Sequence, residues 1–417
     1  MKSTWRVTAL VAAIAASALA AVAGTASAAP AEGTSASATT LRIWADGNRR
    51  AAVQKVAGAW AKSRGVTVEV VLKEFGDIRN DLSKVSADTA PDVIVGAHDW
   101  TGELAAGGLV VPITPRKAIA EQFPSYTLDS FSYGTGVKRL YGAPVAVENI
   151  GLVVNTRLAR VPTSFADLQK QAIAFKKKKS GNLALAVPQG ANGDAYHMYP
   201  FFSGLGGYVF GRNAKGNLNP KDIGVASPKF LANSALIDQW NKQGLINSKV
   251  DYDTAKNAFL KKQAAFWITG PWESTALKDS GLRYKIVQLP RIKYRSAPFL
   301  GVQGFMVTKF AAGHGVGSLA KDLVGSHMMG TGAQVTLAAA NGRYPANTAA
   351  GKKVRDGVLK QFGAASRGGV PMPNIPQMAS VWSELGGAWV KSTKGSGATK
   401  ARTSFTVAAR NIANKIG

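Results

Sequence analysis

The chain contains no cysteine. That absence excludes disulfides, thiolate metal sites and cysteine nucleophiles, and with them a tether through a lipidated cysteine. Histidine is scarce: the four present share no metal-ligand spacing with carboxylates, so neither a metal site nor a cofactor is expected. Acidic residues are few, 24 against 51 lysines and arginines, for a net charge of +27. Beyond the N-terminus no apolar run approaches membrane length. The glycine-rich stretches "GELAAGG" and "FSGLGGYVFG" lack the Lys-Ser/Thr pair of a phosphate loop and the strand-coupled dinucleotide fingerprint, so they read as turns and helix ends.

What is present begins with Lys2 and Arg6, the apolar "VTALVAAIAASALAAVAG" and the small-residue "ASAAP", together a signal peptide over 1–29. The small, polar stretch over 30–40 reads as a flexible leader. The mature protein is expected to be exported and free of a lipid anchor through cysteine. Apolar residues make up 46%, enough for substantial cores, and 417 residues suit two lobes better than one compact domain. The positive charge favours polyanions; for an exported protein these are anionic cell-wall polymers or headgroups, not nucleic acid. An acidic habitat is another reading of the same charge. The run "FKKKK" at 175–179 reads as a solvated helix end, where cations complement the helix dipole, with a docking patch as the alternative.

From residue 41 the order is strand, turn, helix, strand, helix. Leu41, Ile43 and Trp44 open a strand, Val53, Val56, Ala57 and Trp60 recur at helical spacing, and "VTVEVVL" and Val93–Val95 are further strands. Such alternation predicts a parallel sheet flanked by helices, with ligand-binding loops beyond the strands' C-terminal ends. Two polar loops lie there, "ADGNRR" at 45–50 and "GAHDW" at 96–100. The extended run 143–154 carries one carboxylate, Glu148. A charge inside an apolar strand is costly unless satisfied, so Glu148 lies either on a solvent-facing edge or at a crossing into a cleft. "NLALAVP", "AAFWITGPW" and "APFLGVQGFMVT" read as later strands, and the tail from Trp382 reads as helices. Trp44, Trp60, Trp240, Trp267 and Trp389 sit on apolar faces and are expected in the core. His98 is expected to make structural hydrogen bonds.

Asp46, Asp99 with Trp100, Glu148, Asp194 with Tyr196, Trp272 and Trp382 all fall at loop or crossing positions. Carboxylates accept from paired sugar hydroxyls with charge-assisted bonds, and flat aromatic faces cover the apolar side of pyranose rings. The stretch "MPNIPQMASVW" at 372–382 places two prolines before Trp382. It is either a rigid loop that presents an aromatic face or a tight connection into a core helix.

"LRIWADGNRR", "APDVIVGAHDWTGELAAGGLVVPIT", "YGAPVAVENIGLVVN", "AAFWITGPW" and "MPNIPQMASVW" resemble, in order and spacing, the maltose/maltodextrin-binding proteins, the extracytoplasmic receptors of ABC sugar importers. The resemblance covers essentially the whole mature chain. It implies an α/β, two-lobed periplasmic-binding-protein fold of type II, each lobe a mostly parallel sheet flanked by helices, joined by crossing hinge strands. The N-terminal lobe would comprise 41–147 and 302–350, and the C-terminal lobe 148–301 and 351–417. The matching positions imply Asp99 and Glu148 as hydroxyl acceptors, Tyr196, Trp272 and Trp382 as stacking residues, and Asp194 as an acidic neighbour. Pro373 and Pro376 would then hold the loop that delivers Trp382. Asn48 and Arg49 stand where the best-known members carry an acid and a lysine, Gly96 where they carry tryptophan, Trp100 for arginine, Ser383 for tyrosine and Gly386 for a basic residue.

The function implied is non-enzymatic: a monomeric receptor that binds a neutral oligosaccharide, foremost maltose or a maltodextrin, and delivers it to membrane permease subunits. Trehalose or a β-linked oligosaccharide is the alternative ligand. A secreted glycoside hydrolase using two of Asp46, Asp99, Glu148 and Asp194 is the alternative activity. The positive surface is compatible with retention on the cell wall.

Overall fold

A computed structural model describes residues 39–134 and 136–417. The signal peptide and the leader up to residue 38 lie outside the described residues, while Thr40 already belongs to the first strand. Strand β1 (Thr40–Ala45) buries Leu41 and Ile43. The helix Arg50–Arg64 lays Val53, Val56, Ala57 and Trp60 against the sheet and ends at Gly65, whose φ of 66° closes a left-handed cap. Strand β2 (Thr67–Leu72) pairs with β1 in parallel, and so does β3 (Val93–Ala97). All five residues of β3 are buried, as its unbroken apolar run requires of a central strand.

Four further strands complete this sheet: β4 (Gly142–Glu148), β8 (Phe299–Val307), β9 (Tyr344–Pro345) and β10 (Val370–Pro371). The order is β9-β4-β8-β3-β1-β2, with β10 beside β8. Strand β8 runs against both β3 and β4. Its register along β4 shifts between Gln303, opposite Ala146, and Gly304, opposite Pro144. Pro144 has no N–H to give to the ladder, and a bulge is where a sheet interior accommodates that. A second sheet has the order β6-β5-β7, from β6 (Phe266–Thr269), β5 (Gly151–Asn155) and β7 (Tyr284–Val287). Strand β5 follows β4 after only two residues, so the chain passes directly from one sheet to the other at 149–150.

The two-lobed α/β class is as the sequence implies, but strand direction is not. β5 is antiparallel to both of its partners, and β8 reverses the middle of the first sheet. "NLALAVP" forms no strand. It makes only isolated parallel bridges, Leu183 with Ala264 and Ala186 with Trp267, and stops at Pro188, which has no donor. Periodicity reports which face is buried and is silent on direction, because parallel and antiparallel strands have the same two-residue repeat. Trp44, Trp60, Trp240, Trp267 and Trp389 are all buried. The expected tail helices are Ala379–Thr393 and Ala401–Ile416.

The segment 372–378 is fastened to the stretch 129–132, at the end of the helix Ser125–Ser130. The Asn374 amide donates to the carbonyls of Asp129, Ser130 and Ser132 at 3.0–3.1 Å. His98 accepts from the Val302 N–H at Nδ1 and donates to the Met372 carbonyl through Nε2, both at 3.0 Å, which is the structural role expected of it. Burial pushes its pKa down to about 4. Gly102, in the short helix Thr101–Ala106, packs on the same segment: a Cβ there would lie 2.4 Å from the Asn374 carbonyl oxygen. Gly102→Ala is therefore expected to destabilise the protein by about 1–3 kcal/mol, read as a lower urea midpoint. An unchanged midpoint would show that 372–378 yields without cost.

Candidate functional site

Where β4 ends and β8 crosses, five buried polar side chains form one line. Arg49 donates from Nε to Asp46 (2.5 Å) and from a terminal nitrogen to Gln303 Oε1 (2.6 Å). Gln303 donates to Glu148 Oε1 at 2.8 Å, and Arg343 donates to Glu148 Oε2 at 2.5 Å. All five are between 3 and 8% exposed. Burial lowers the pKa of the Arg49 guanidinium against the pull of Asp46. Burial pulls Arg343 down as well, but Glu148 outweighs it and the net direction is up. The line alternates in sign and is neutral as a whole, which is how a low-dielectric interior tolerates charge. Gly301 faces Glu148 across the ladder. A Cβ at 301 would lie 2.9 Å from Glu148 Cγ and 3.3 Å from the Tyr196 hydroxyl, so glycine lets the carboxylate and the phenol approach each other.

An aromatic cluster adjoins this line. The Tyr196 ring lies 6.2 Å from Trp272 and 6.1 Å from Phe299, and Phe299 meets Trp382 edge-on at 5.7 Å. The Arg343 guanidinium stands 5.7 Å over the Trp272 ring. Trp382 belongs to the first turn of the helix Ala379–Thr393, and its indole N–H donates to Asp99 Oδ2 at 3.0 Å. Asp99, Glu148, Tyr196, Trp272 and Trp382 are thus brought together. Burial pushes the Tyr196 hydroxyl well above its usual pKa, with Glu148 adding to the effect, so it is a neutral donor.

The other sequence-derived residues are engaged by protein partners. Asp194 caps the helix Ala195–Gly204, accepting from the His197 backbone N–H (2.9 Å) and bonding the His197 ring (2.6 Å). Burial opposes its charge, but His197 outweighs burial and holds the pKa low. Asn48 is exposed at a turn and uses its backbone N–H on Asp46. Asp46 and Arg49 are occupied by each other. Trp100 is 5% exposed. Its ring covers Gly96, where a Cβ would fall 2.3 Å away, and its other neighbour, Phe75 (4.9 Å), carries the Arg49 guanidinium at 4.9 Å. Gly386 packs on the loop before Asp194: a Cβ at 386 would sit 2.9 Å from the Asn192 carbonyl oxygen, which leaves no room for a basic side chain. Sequence reasoning missed Gln303, Arg343, His197 and Phe299. The signal for Gln303 was the one used for Glu148, a lone polar residue inside an apolar extended run.

Three buried polar atoms in this neighbourhood meet no hydrogen-bond partner among the described residues: Asp99 Oδ1, the Tyr196 hydroxyl and His197 Nε2. A buried group left so costs about 1–3 kcal/mol. Acceptors, a donor and aromatic faces thus lie together without protein partners, chemistry suited to a polar ligand with apolar faces. The chain belongs to the bacterial extracellular solute-binding protein family, whose model matches residues 55–358. It is 27% identical to the galactooligosaccharide-binding protein of Bacillus subtilis over 85% of each chain. It is 30% identical to the maltodextrin-binding protein MdxE of the same organism over 79% of each. The maltooligosaccharide ABC transporter solute-binding lipoprotein of Streptococcus pneumoniae is 26% identical over 85% of this chain and 84% of its own. The protein is therefore a solute-binding protein of the sugar ABC-transporter type. Among the described residues no helix is long and apolar enough to cross a membrane.

Burial raises the Asp99 pKa from 3.8 to about 6, against the opposing pull of Arg79 and the Trp382 N–H. A carboxyl raised on folding contributes stability that is fully present below pH 4 and lost as pH rises through 6, about 3 kcal/mol in all. Asp99→Asn is expected to exceed the wild type in stability at pH 7.5 and to match it at pH 4, by urea titration. An equal difference at both pH values would show that water reaches the carboxylate.

Proposed function

We propose that this chain binds a neutral oligosaccharide, foremost a maltooligosaccharide, between its lobes and hands it unchanged to an ABC permease. The observation that carries this reading is the set of partnerless buried atoms, Asp99 Oδ1, the Tyr196 hydroxyl and His197 Nε2, beside the rings of Trp272 and Trp382. A hydroxyl-rich ring supplies donors and acceptors to all three, and its C–H face covers an indole. The polar line beneath is balanced within itself and offers a ligand no net charge, and the Asp99 carboxylate is an acceptor for hydroxyl donors. Names among the relatives point to maltooligosaccharides and, in one case, galactooligosaccharides.

Contacts to both lobes at once favour the closed form, with segments 147–150 and 301–304 as the hinge, lobes divided near 147 and 302, and the protein acting as a monomer. Binding without cleavage fits Glu148, whose two oxygens are held by Gln303 and Arg343 as a fixed acceptor.

Calorimetry against maltose, maltotriose, longer maltodextrins, galactooligosaccharides, trehalose and cellobiose tests the assignment. Maltooligosaccharides are expected to bind tightest and to be recovered intact. Tyr196→Phe is expected to weaken binding about tenfold, the worth of one hydrogen bond near 1.4 kcal/mol, and Trp272→Ala to weaken it further. Silence toward every sugar would end the oligosaccharide reading; cleavage of the recovered sugar would end the receptor one.

A further inference from the structure

Two helices of the second lobe end against each other, and the segment that follows the first runs on to the end of a third. The helix Phe165–Lys177 meets the end of Ala235–Gln243 where the Lys176 amine donates to the Gly244 carbonyl at 3.3 Å. The segment after it is fastened to the end of Tyr252–Leu260, where the Leu183 N–H donates to the Gln263 carbonyl at 2.9 Å. Each terminus is lysine-rich. Lys176, Lys177, Lys178 and Lys179 close the first, Lys242 lies in the last turn of the second, and Lys261 and Lys262 follow the third.

None of these seven lysines pairs with a carboxylate among the described residues, and six are exposed. No aspartate or glutamate occurs in 168–193, 239–250 or 254–272. Lys176 is committed to Gly244, and Lys178 lies 5.9 Å over the Phe175 ring. Lys177, Lys179, Lys242, Lys261 and Lys262 remain for solvent. Cations complement a helix dipole only within its last turn, and Lys178, Lys179, Lys261 and Lys262 lie beyond the ends of their helices. Like charges gathered there repel one another and disfavour the compact state.

The place is also set apart from the sugar site. Strand β6 begins at Phe266, just after Lys261 and Lys262, and runs to Thr269 before Trp272 enters the aromatic cluster. The lysines therefore lie at the opposite end of about 13 Å of strand.

We propose that this lysine edge is a docking surface for a linear phosphate polyanion of the cell envelope, engaged while the sugar cleft stays free. A flexible chain with a charge at every repeat can follow five separated ammonium groups. Each contact releases a condensed counterion and makes the affinity steeply salt-dependent.

The test measures the anisotropy of fluorescently labelled long-chain inorganic polyphosphate, titrated with the full chain over a range of salt concentrations. A triple variant, Lys177→Glu, Lys179→Glu and Lys261→Glu, is compared with a control of equal charge change elsewhere, Lys84→Glu, Lys352→Glu and Lys353→Glu. The edge variant is expected to bind at least tenfold more weakly, with its log K against log salt slope reduced by about 2. The control is expected to stay within about threefold, by the same screening argument for scattered exposed charge. The melting shift with sugar, or in its absence the unfolding midpoint, shows that both variants fold. Equal losses in the two variants would mean that net charge alone governs binding, and would overturn the proposal. So would no binding at low salt, or binding to phosphatidylglycerol vesicles without binding to polyphosphate.

Discussion

Glu148 stands where strand β4 leaves the first sheet, and the line of side chains through it constrains everything around it. Asp46, Arg49, Gln303, Glu148 and Arg343 come from four segments remote in sequence, yet they touch end to end in the interior. Taking one member of a buried pair away typically costs about 3–5 kcal/mol, because the other is left uncompensated. The line therefore acts as a register key. The first loop, both crossing strands and the turn before β9 have to arrive together, or several charges are stranded at once. The bulge at Gln303 and the glycine at 301 are the backbone's share of that fit.

The same line separates two electrostatic regimes. Outside, the protein is strongly cationic, and most of its lysines face water, where their fields are screened over about 10 Å. Inside, acids and bases alternate and cancel. On the proposed function, a ligand arriving between the lobes would meet fixed dipoles and aromatic faces, largely insulated from the +27 of the whole chain. A strongly basic composition is thus compatible with recognition of an uncharged molecule, and the two properties can be varied independently.

The first sheet's strands, its first helix and the capped helix at Phe165 were legible because each rests on a local signal: period two, period 3.6, or a serine cap. Glu148 was legible because a single charge in an apolar run needs an explanation. Arg343 was not, since "NGRYP" reads as an ordinary turn and its partner is 195 residues away. Asp194 carries two signals at once. The resemblance implies a ligand contact, and its spacing to His197 is that of a helix cap, which the structure shows. Strand direction and the loss of the strand at 183–188 were hidden for a different reason. They depend on which chain lies alongside, and no local pattern records that.

The ring of Trp100 lying over Gly96 has a consequence for how such chains are compared. Taken column by column, positions 96 and 100 count as two unrelated residues. In space they are one feature: the indole of Trp100 occupies the volume that a side chain at 96 would need. A side chain at 96 would collide with the ring, so whatever stands at 96 can be judged only together with the residue four positions on.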